Sequence, residues 1–340
     1  MTTTGNRTPP AVVGEGRTDV PGQAGLADVA ELARRIAGNV GHVLVGKPDV
    51  VRIALVTLLA EGHLLVEDVP GVGKTSLAKA LALSIDCSVS RVQFTPDLLP
   101  GDITGMSIFN RQTEEFEFRP GPVFANVVIA DEINRASPKT QSALLECMAE
   151  HQVTVDGVTY GLASPFLVVA TQNPIEMDGT YPLPEAQRDR FTARVSIGYP
   201  DPAAELTMLD EHAAAEPLEQ LRPVADAAAV RAVIEAVRRV RVGPEVRQYC
   251  VDLVTATRRL PDLRLGASPR ATLQLVRTAR AQAALSGRGF VVPDDVRAVA
   301  VPVLAHRLLL APEAHAGRRS TTELVHTLLA RLPVPTPARP

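Results

Sequence analysis

A chain of 340 residues and 36.2 kDa has room for two domains, and 46% hydrophobic against 21% charged residues supplies the apolar mass of a globular core. The net charge of −3 excludes overall basicity as an argument for nucleic-acid binding, and three widely spaced cysteines (Cys87, Cys147, Cys250) exclude a paired thiolate site for zinc or redox chemistry. The charge is unevenly spread: residues 1–230 hold 17 Lys/Arg against 30 Asp/Glu, net −13, while residues 231–340 hold 18 against 8, net +10, which fits either surfaces that meet or two solvated faces of opposite sign.

Residues 1–25 are rich in Thr, Gly and Pro with little to bury, so a disordered tail is expected. Their longest apolar run, Ala11-Val12-Val13, is far short of a signal-peptide core, and no uncharged run reaches the ~18–20 residues of a membrane helix. A cytoplasmic protein without a membrane span is expected. Helical spacing follows over Leu26–Val40 and Val50–Ala60, and His63–Glu67 (HLLVE) reads as a short buried strand.

Directly after that strand comes Gly71-Val72-Gly73-Lys74-Thr75-Ser76, opening a helix that runs to Ser84. Strand, glycine-rich turn and helix are the context of a phosphate-binding loop, in which backbone N–H groups and the positive helix end meet phosphate oxygens. Lys74 then reaches the β- and γ-phosphates and the Thr75 hydroxyl ligates Mg²⁺. The eight-residue pattern normally begins with Gly, and here that place holds Asp68. Only four lysines occur in the chain, which weighs against an ordinary turn that happens to carry one.

Arg91–Phe94 reads as a strand, and Val123–Ala130 as a buried one ending in Asp131 and Glu132. Ligands of open α/β sheets bind beyond the C-terminal strand ends, so both acids emerge beside the phosphate loop. Asp131 suits Mg²⁺, directly or through water, and Glu132 suits polarising a water aimed at the γ-phosphate. Ser137 and Pro138 cap and open a helix to about Glu150, and Asp156-Gly157 within Gln152–Tyr160 marks a β-hairpin. Phe166–Ala170 is a further strand closed by Thr171-Gln172-Asn173-Pro174, which sets the Asn173 amide at the same sheet edge. Taken alone, Asn-Pro is a plain turn.

Arg190, in Glu185–Phe191, either forms a local salt bridge or spreads transition-state charge from a neighbouring subunit. Arg194–Ile197 is the last strand, and these short apolar strands between helices imply a parallel sheet covered on both faces. After Pro200 no strand pattern continues; Ala225–Arg239, Pro244–Arg259, Pro269–Leu285 and Pro293–Leu310 read as helices. Ser268-Pro269 caps the third of these and sets Arg270 in its first turn, where a cation opposes the helix dipole. Contact with a nucleotide phosphate would explain it; so would a nearby surface acid. Pro333–Pro340, with four prolines, is expected to fray.

With these elements in this order, and with RVQFTPDLLPGDITG (Arg91–Gly105), FRPGPVFANVVIADEINRASPKTQSALLECM (Phe118–Met148) and VVATQNPIEMDGTYPLPEAQRDRF (Val168–Phe191), the chain resembles the MoxR group of AAA+ ATPases over about residues 26–310. The resemblance implies an α/β P-loop core over 26–200, with a five-stranded parallel sheet flanked by helices, and a smaller all-α lid over 201–332. Lys74 and Thr75 match Walker A, Asp131 and Glu132 Walker B, Asn173 sensor 1, Arg190 the arginine finger and Arg270 sensor 2. Arg188 stands where relatives carry an apolar residue, so two arginines could share the finger role. The resemblance also implies ATP and Mg²⁺, a homo-oligomeric ring of six, and inserts at Asp102–Pro122 and around Asp156-Gly157 that face the pore and handle substrate. Chaperone-like remodelling of a client protein, with a von Willebrand factor A domain protein as partner, is the expected activity. A metal-chelatase motor subunit and a nucleotide-gated scaffold with slow hydrolysis are the alternatives. A DNA motor lacks a basic, aromatic-interleaved patch, and a GTPase lacks an Asn-Lys-x-Asp guanine reader.

Overall fold

The computed structural model describes residues 25–174, 179–214 and 216–335. The expected N-terminal tail lies outside the described residues except for Gly25, as do residues 336–340 of the expected C-terminal tail. Helix α1 (Leu26–Gly41) buries Val29, Leu32, Ala33, Ile36 and Val40, an i, i+3, i+4 stripe, and opens where the Gly25 N–H donates to Asp28 Oδ2 at 2.7 Å. Helix α2 (Pro48–Leu59) starts with Pro in its first turn and is buried almost all round from Val51 onward.

Strand β1 (Leu64–Glu67) leads through the glycine-rich loop into α3 (Lys74–Ser84), followed by β2 (Ile85–Asp86) and β3 (Val89–Gln93). The expected insert is the short helix α4 (Pro100–Thr104) and the antiparallel hairpin β4 (Gly105–Asn110) and β5 (Glu115–Pro120). Pro122–Phe124 forms a 3₁₀ turn rather than the start of a strand, and β6 runs only over Val127–Asp131. Helix α5 (Pro138–Glu150) is capped as its sequence foretells: the Thr140 N–H donates to Ser137 Oγ and Pro138 opens the first turn. The hairpin β7 (Gln152–Val155) and β8 (Val158–Gly161), β9 (Leu167–Gln172), α6 (Glu185–Arg188) and β10 (Ala193–Val195) follow.

Five strands form one sheet in the order β10-β1-β9-β6-β3, every pairing parallel. Alternate residues serve opposite faces. Leu64, Val66, Val127, Ile129, Leu167 and Val169 pack with α1, α2 and α3; Leu65, Val128, Ala130, Val168 and Ala170 pack with α5. Burial of each large side chain contributes ~1.5–3 kcal/mol, which is why these strands are continuous apolar runs and not alternating ones.

Beyond the sheet lie α7 (Pro202–Ala214), α8 (Pro217–Gln220), β11 (Ala225–Asp226), α9 (Ala227–Arg238), α10 (Pro244–Thr257), β12 (Leu263–Leu265), α11 (Pro269–Leu285), α12 (Pro293–Leu304), β13 (Leu309–Leu310), α13 (Pro312–Ala316) and α14 (Thr321–Arg331). This region is a helical lid, but not free of strands. β11 pairs with β2, and β12 with β13. These pieces of two or three residues form where the chain crosses between helices and are too short to leave a period-2 pattern. The helix expected over Pro293–Leu310 stops at Leu304 because His306 and Arg307 turn inward and bond the 189–192 segment. Lid residues Val230, Leu253, Leu275, Val296 and Val325 share one hydrophobic cluster with the α1/α2 face of the sheet.

His63 joins α5 to the sheet from within the core. Its Nδ1 accepts the Val168 N–H at 3.0 Å and its Nε2 lies 3.0 Å from the Met148 carbonyl, which assigns a neutral ring protonated at Nε2. Burial pushes its pKa from 6.5 down to about 4; the Met148 bond opposes this and nearby His151 adds to it. A base whose folded pKa is lowered stabilises above its unfolded pKa and loses that contribution as pH falls. Between pH 6.5 and 5, His63 should therefore account for ~2 kcal/mol of lost stability. Urea unfolding at several pH values checks this. His63→Gln, whose amide reproduces both bonds, should flatten that part of the profile, and an unchanged slope would assign the loss elsewhere.

Candidate functional site

The site assembles where β1, β9 and β6 end. Gly71 and Gly73 have φ of +82° and +92°, a left-handed backbone that side chains resist, and Gly73 is the residue from which α3 departs. The first-turn N–H groups of α3 lack intrahelical partners and carry the positive end of the helix dipole. Lys74 Nζ donates to the carbonyl of Asp68, at the start of the loop, and to that of Gln172 at 3.3 Å, at the end of β9. The ammonium therefore spans the mouth of the loop.

Asp131 closes β6 with 4% exposure. Thr75 Oγ1 is 3.1 Å from its Oδ1, Thr171 Oγ1 donates to the same oxygen at 3.2 Å, and Arg91 Nε donates to Oδ2 at 2.7 Å. A buried carboxylate needs that much compensation. Glu132 sits at φ +56°, unusual for a non-glycine residue and characteristic of functional turns. Its N–H donates to Thr171 Oγ1 at 2.9 Å, and its Oε2 accepts from Gln93 Nε2 at 2.9 Å and Arg135 Nη1 at 3.0 Å. Asn173, one residue past β9, is buried beside them.

Thr75 and Asp131 present hard oxygens to one point, which fits Mg²⁺: that ion keeps several waters and substrate phosphates and takes only one or two protein ligands. No cluster of three or more His, Cys, Asp or Glu side chains able to hold a metal occurs among the described residues. Against the loop opens a cavity of about 420 Å³, walled by residues 43–45 and Lys47, by Gly71–Gly73 and Ser76, and by residues 197–200. Asp68, in the place of the usual glycine, is buried. Burial raises its pKa, but bonds from the Gly198 amide, the Ser196 hydroxyl and the Val69 amide outweigh this and hold it below the ordinary carboxylate value.

Gly71, Val72, Gly73, Lys74, Thr75, Ser76, Asp131, Glu132 and Asn173 thus converge. Arg190 and Arg270 do not join them within the chain. Arg190 Nη1 donates to the Leu145 carbonyl in α5 at 2.8 Å, and Arg188 Nε is buried without a partner. Arg270 is exposed in the first turn of α11. Ser268 does not cap that helix with its side chain; its hydroxyl donates to Asp189 Oδ2 at 2.9 Å. Four contributors escaped sequence reasoning: Arg91, Gln93, Arg135 and Thr171. Arg91 and Gln93 sit two apart on a strand and so share a face, but only the register, with Gln93 opposite Asp131, shows what they face.

The family described as "ATPase family associated with various cellular activities (AAA)" matches residues 63–193, and the AAA lid domain matches 255–328. YeaC of Bacillus subtilis is 47% identical over 91% of this chain and 96% of its own length. Chaperone MoxR1 of Mycobacterium tuberculosis is 41% identical over 92% and 85%, and protein MoxR of Methylorubrum extorquens 32% over 93% and 98%. A crystal structure of a candidate ATPase from Cytophaga hutchinsonii superposes with a TM-score of 0.84 at 38% identity, covering 92% of this chain and 97% of that one.

Asp189, between the two arginines, holds the lid to the sheet. Its Oδ1 accepts from Arg307 Nε at 2.8 Å, and Arg307, 5% exposed, also donates to the Phe191 carbonyl at 2.6 Å. Asp189→Ala strands a buried guanidinium and should cost ~3–5 kcal/mol in urea unfolding. Arg190→Ala, one residue along and half-exposed, should cost ~1 kcal/mol. Equal losses would contradict this division.

Proposed function

The chain belongs to the MoxR family of AAA+ ATPases and is an ATP hydrolase; from that premise we propose that it hydrolyses Mg²⁺-bound ATP at the interfaces of a six-membered homo-oligomeric ring and uses the energy to remodel a client protein. The observation that carries the hydrolytic reading is the Thr75–Asp131 pair beside Lys74 and Glu132 at the C-terminal edge of a parallel sheet. Lys74 and the N–H groups from Gly71 to Ser76 bind the phosphates. Thr75 and Asp131 would hold Mg²⁺, which neutralises phosphate charge when bound. Glu132 takes a proton from the attacking water, and Asn173 orients that water or a γ-phosphate oxygen. Gln93 and Arg135 fix the Glu132 carboxylate.

Arg190 supplies its charge to the ATP of the adjacent subunit, with Arg188 as a second cation, and Arg270 contacts phosphate from the lid. Arg190 bonds the Leu145 carbonyl in α5, on the sheet face opposite α3, which supports the role in trans. Residues 26–200 act as the core and 201–332 as the lid, and the acidic core of one subunit faces the basic lid of the next. The β4–β5 hairpin exposes Met106, Ile108, Phe109 and Phe116, apolar side chains suited to gripping an unfolded segment. A von Willebrand factor A domain protein fits as the adaptor. No described helix is long and apolar enough to cross a membrane.

Three variants test the proposal. Lys74→Ala should abolish ATP binding, whereas Glu132→Gln should bind ATP and hardly hydrolyse it, because one residue meets ground-state charge and the other the attacking water. Arg190→Ala should bind ATP and turn over roughly 10³-fold more slowly or worse. In rings mixed from Glu132→Gln and Arg190→Ala subunits, some interfaces pair an intact Glu132 with an intact neighbouring Arg190, so activity should return. Confirmed mixed rings that stay inactive would contradict action in trans.

A further inference from the structure

Asp68 stands at the first place of the phosphate loop, where the general pattern has a glycine with no side chain to offer. Its backbone belongs to the loop: its N–H extends the sheet by donating to the Gln172 carbonyl at 3.2 Å, and its own carbonyl receives Lys74. Its carboxylate points elsewhere. Oδ2 accepts the Ser196 hydroxyl at 2.8 Å and the Gly198 N–H at 2.7 Å, Oδ1 accepts the Val69 N–H at 2.8 Å, and the Ile197 amide adds to the same field. All these donors are neutral, and the group is 8% exposed. A fully satisfied buried carboxylate of this kind is a strong constraint, because hydrogen bonds to a charged group are about twice as strong as neutral ones.

The segment it grips lines the cavity together with residues 43–45 and the phosphate loop. Sheet pairing ends at Val195, and the chain then passes a left-handed turn at Gly198, φ +66°, before entering α7 at Pro202. A second tie, Lys47 Nζ to the Tyr199 carbonyl at 2.7 Å, holds the same segment. We propose that Asp68 is a positioning residue that clasps residues 196–200 to the entrance of the phosphate loop, and so sets the affinity for the base and ribose end of the nucleotide, not for its phosphates. The proposal rests on the reading that this cavity holds ATP.

Asp68→Gly restores the usual loop residue and is the decisive variant. If the position served only the loop, glycine would be harmless. The clasp predicts instead that ADP affinity, by calorimetry, falls about tenfold while competition by inorganic tripolyphosphate changes less than twofold, and that KM for ATP rises about tenfold with kcat within twofold. Ser196→Ala, outside the loop, should shift ADP affinity the same way by about threefold, and the double variant should be no worse than Asp68→Gly alone. Hydrogen exchange at the Gly198 amide should quicken in both. Unchanged ADP affinity in Asp68→Gly, or ADP and tripolyphosphate affinities falling together, would overturn the clasp alone. A wild-type chain that bound no ADP would overturn the nucleotide reading and the clasp with it.

Discussion

The carboxylate of Asp131 is the constraint on which this structure turns. It lies at the buried end of the central part of a parallel sheet, where an uncompensated charge costs several kcal/mol, and three elements meet to satisfy it: Thr75 from α3, Thr171 from β9 and Arg91 from β3. The same contacts fix the distance between the phosphate loop and the strand that carries Glu132. Folding the core and building the site are therefore one event. The apolar runs on both sheet faces supply the energy, and the polar strand ends supply the register.

A second consequence concerns the lid. Besides the apolar cluster it shares with the sheet, the lid meets the core through buried polar side chains: Arg307 on Asp189 and His306 on the Phe191 carbonyl. Asp189, which receives Arg307, directly precedes Arg190 in the chain.

Sequence reading went furthest where structure is local. The loop from β1 to α3 is contiguous, so Gly71, Gly73, Lys74 and Thr75 announce their own geometry, and Ser137-Pro138 announces a helix start. The central strands β1, β6 and β9 were legible as apolar runs, although Pro122 converted the first residues of one into a 3₁₀ turn. Contacts between distant segments were not legible. Nothing near Arg91 names Asp131, 40 positions later, as its partner. The Ser268 hydroxyl serves Asp189, 79 positions earlier, in place of its own helix. Asp68 looked like a lapse in a motif because its partners lie 128 and 130 residues downstream. The lid strands and the early end of α12 escaped for the same reason: tertiary bonds decided them, not local preference.

The most direct test of the account is whether Thr75 and Asp131 act together as a divalent-ion site once nucleotide is present. Mn²⁺ binding in the presence of ADP, followed by electron paramagnetic resonance, reads this without any turnover. The account predicts one bound Mn²⁺ per chain in the wild type, and at least ~10-fold weaker binding in both Thr75→Val and Asp131→Asn, since each removes an oxygen ligand or its support. Mn²⁺ held equally tightly by the wild type and both variants would contradict it.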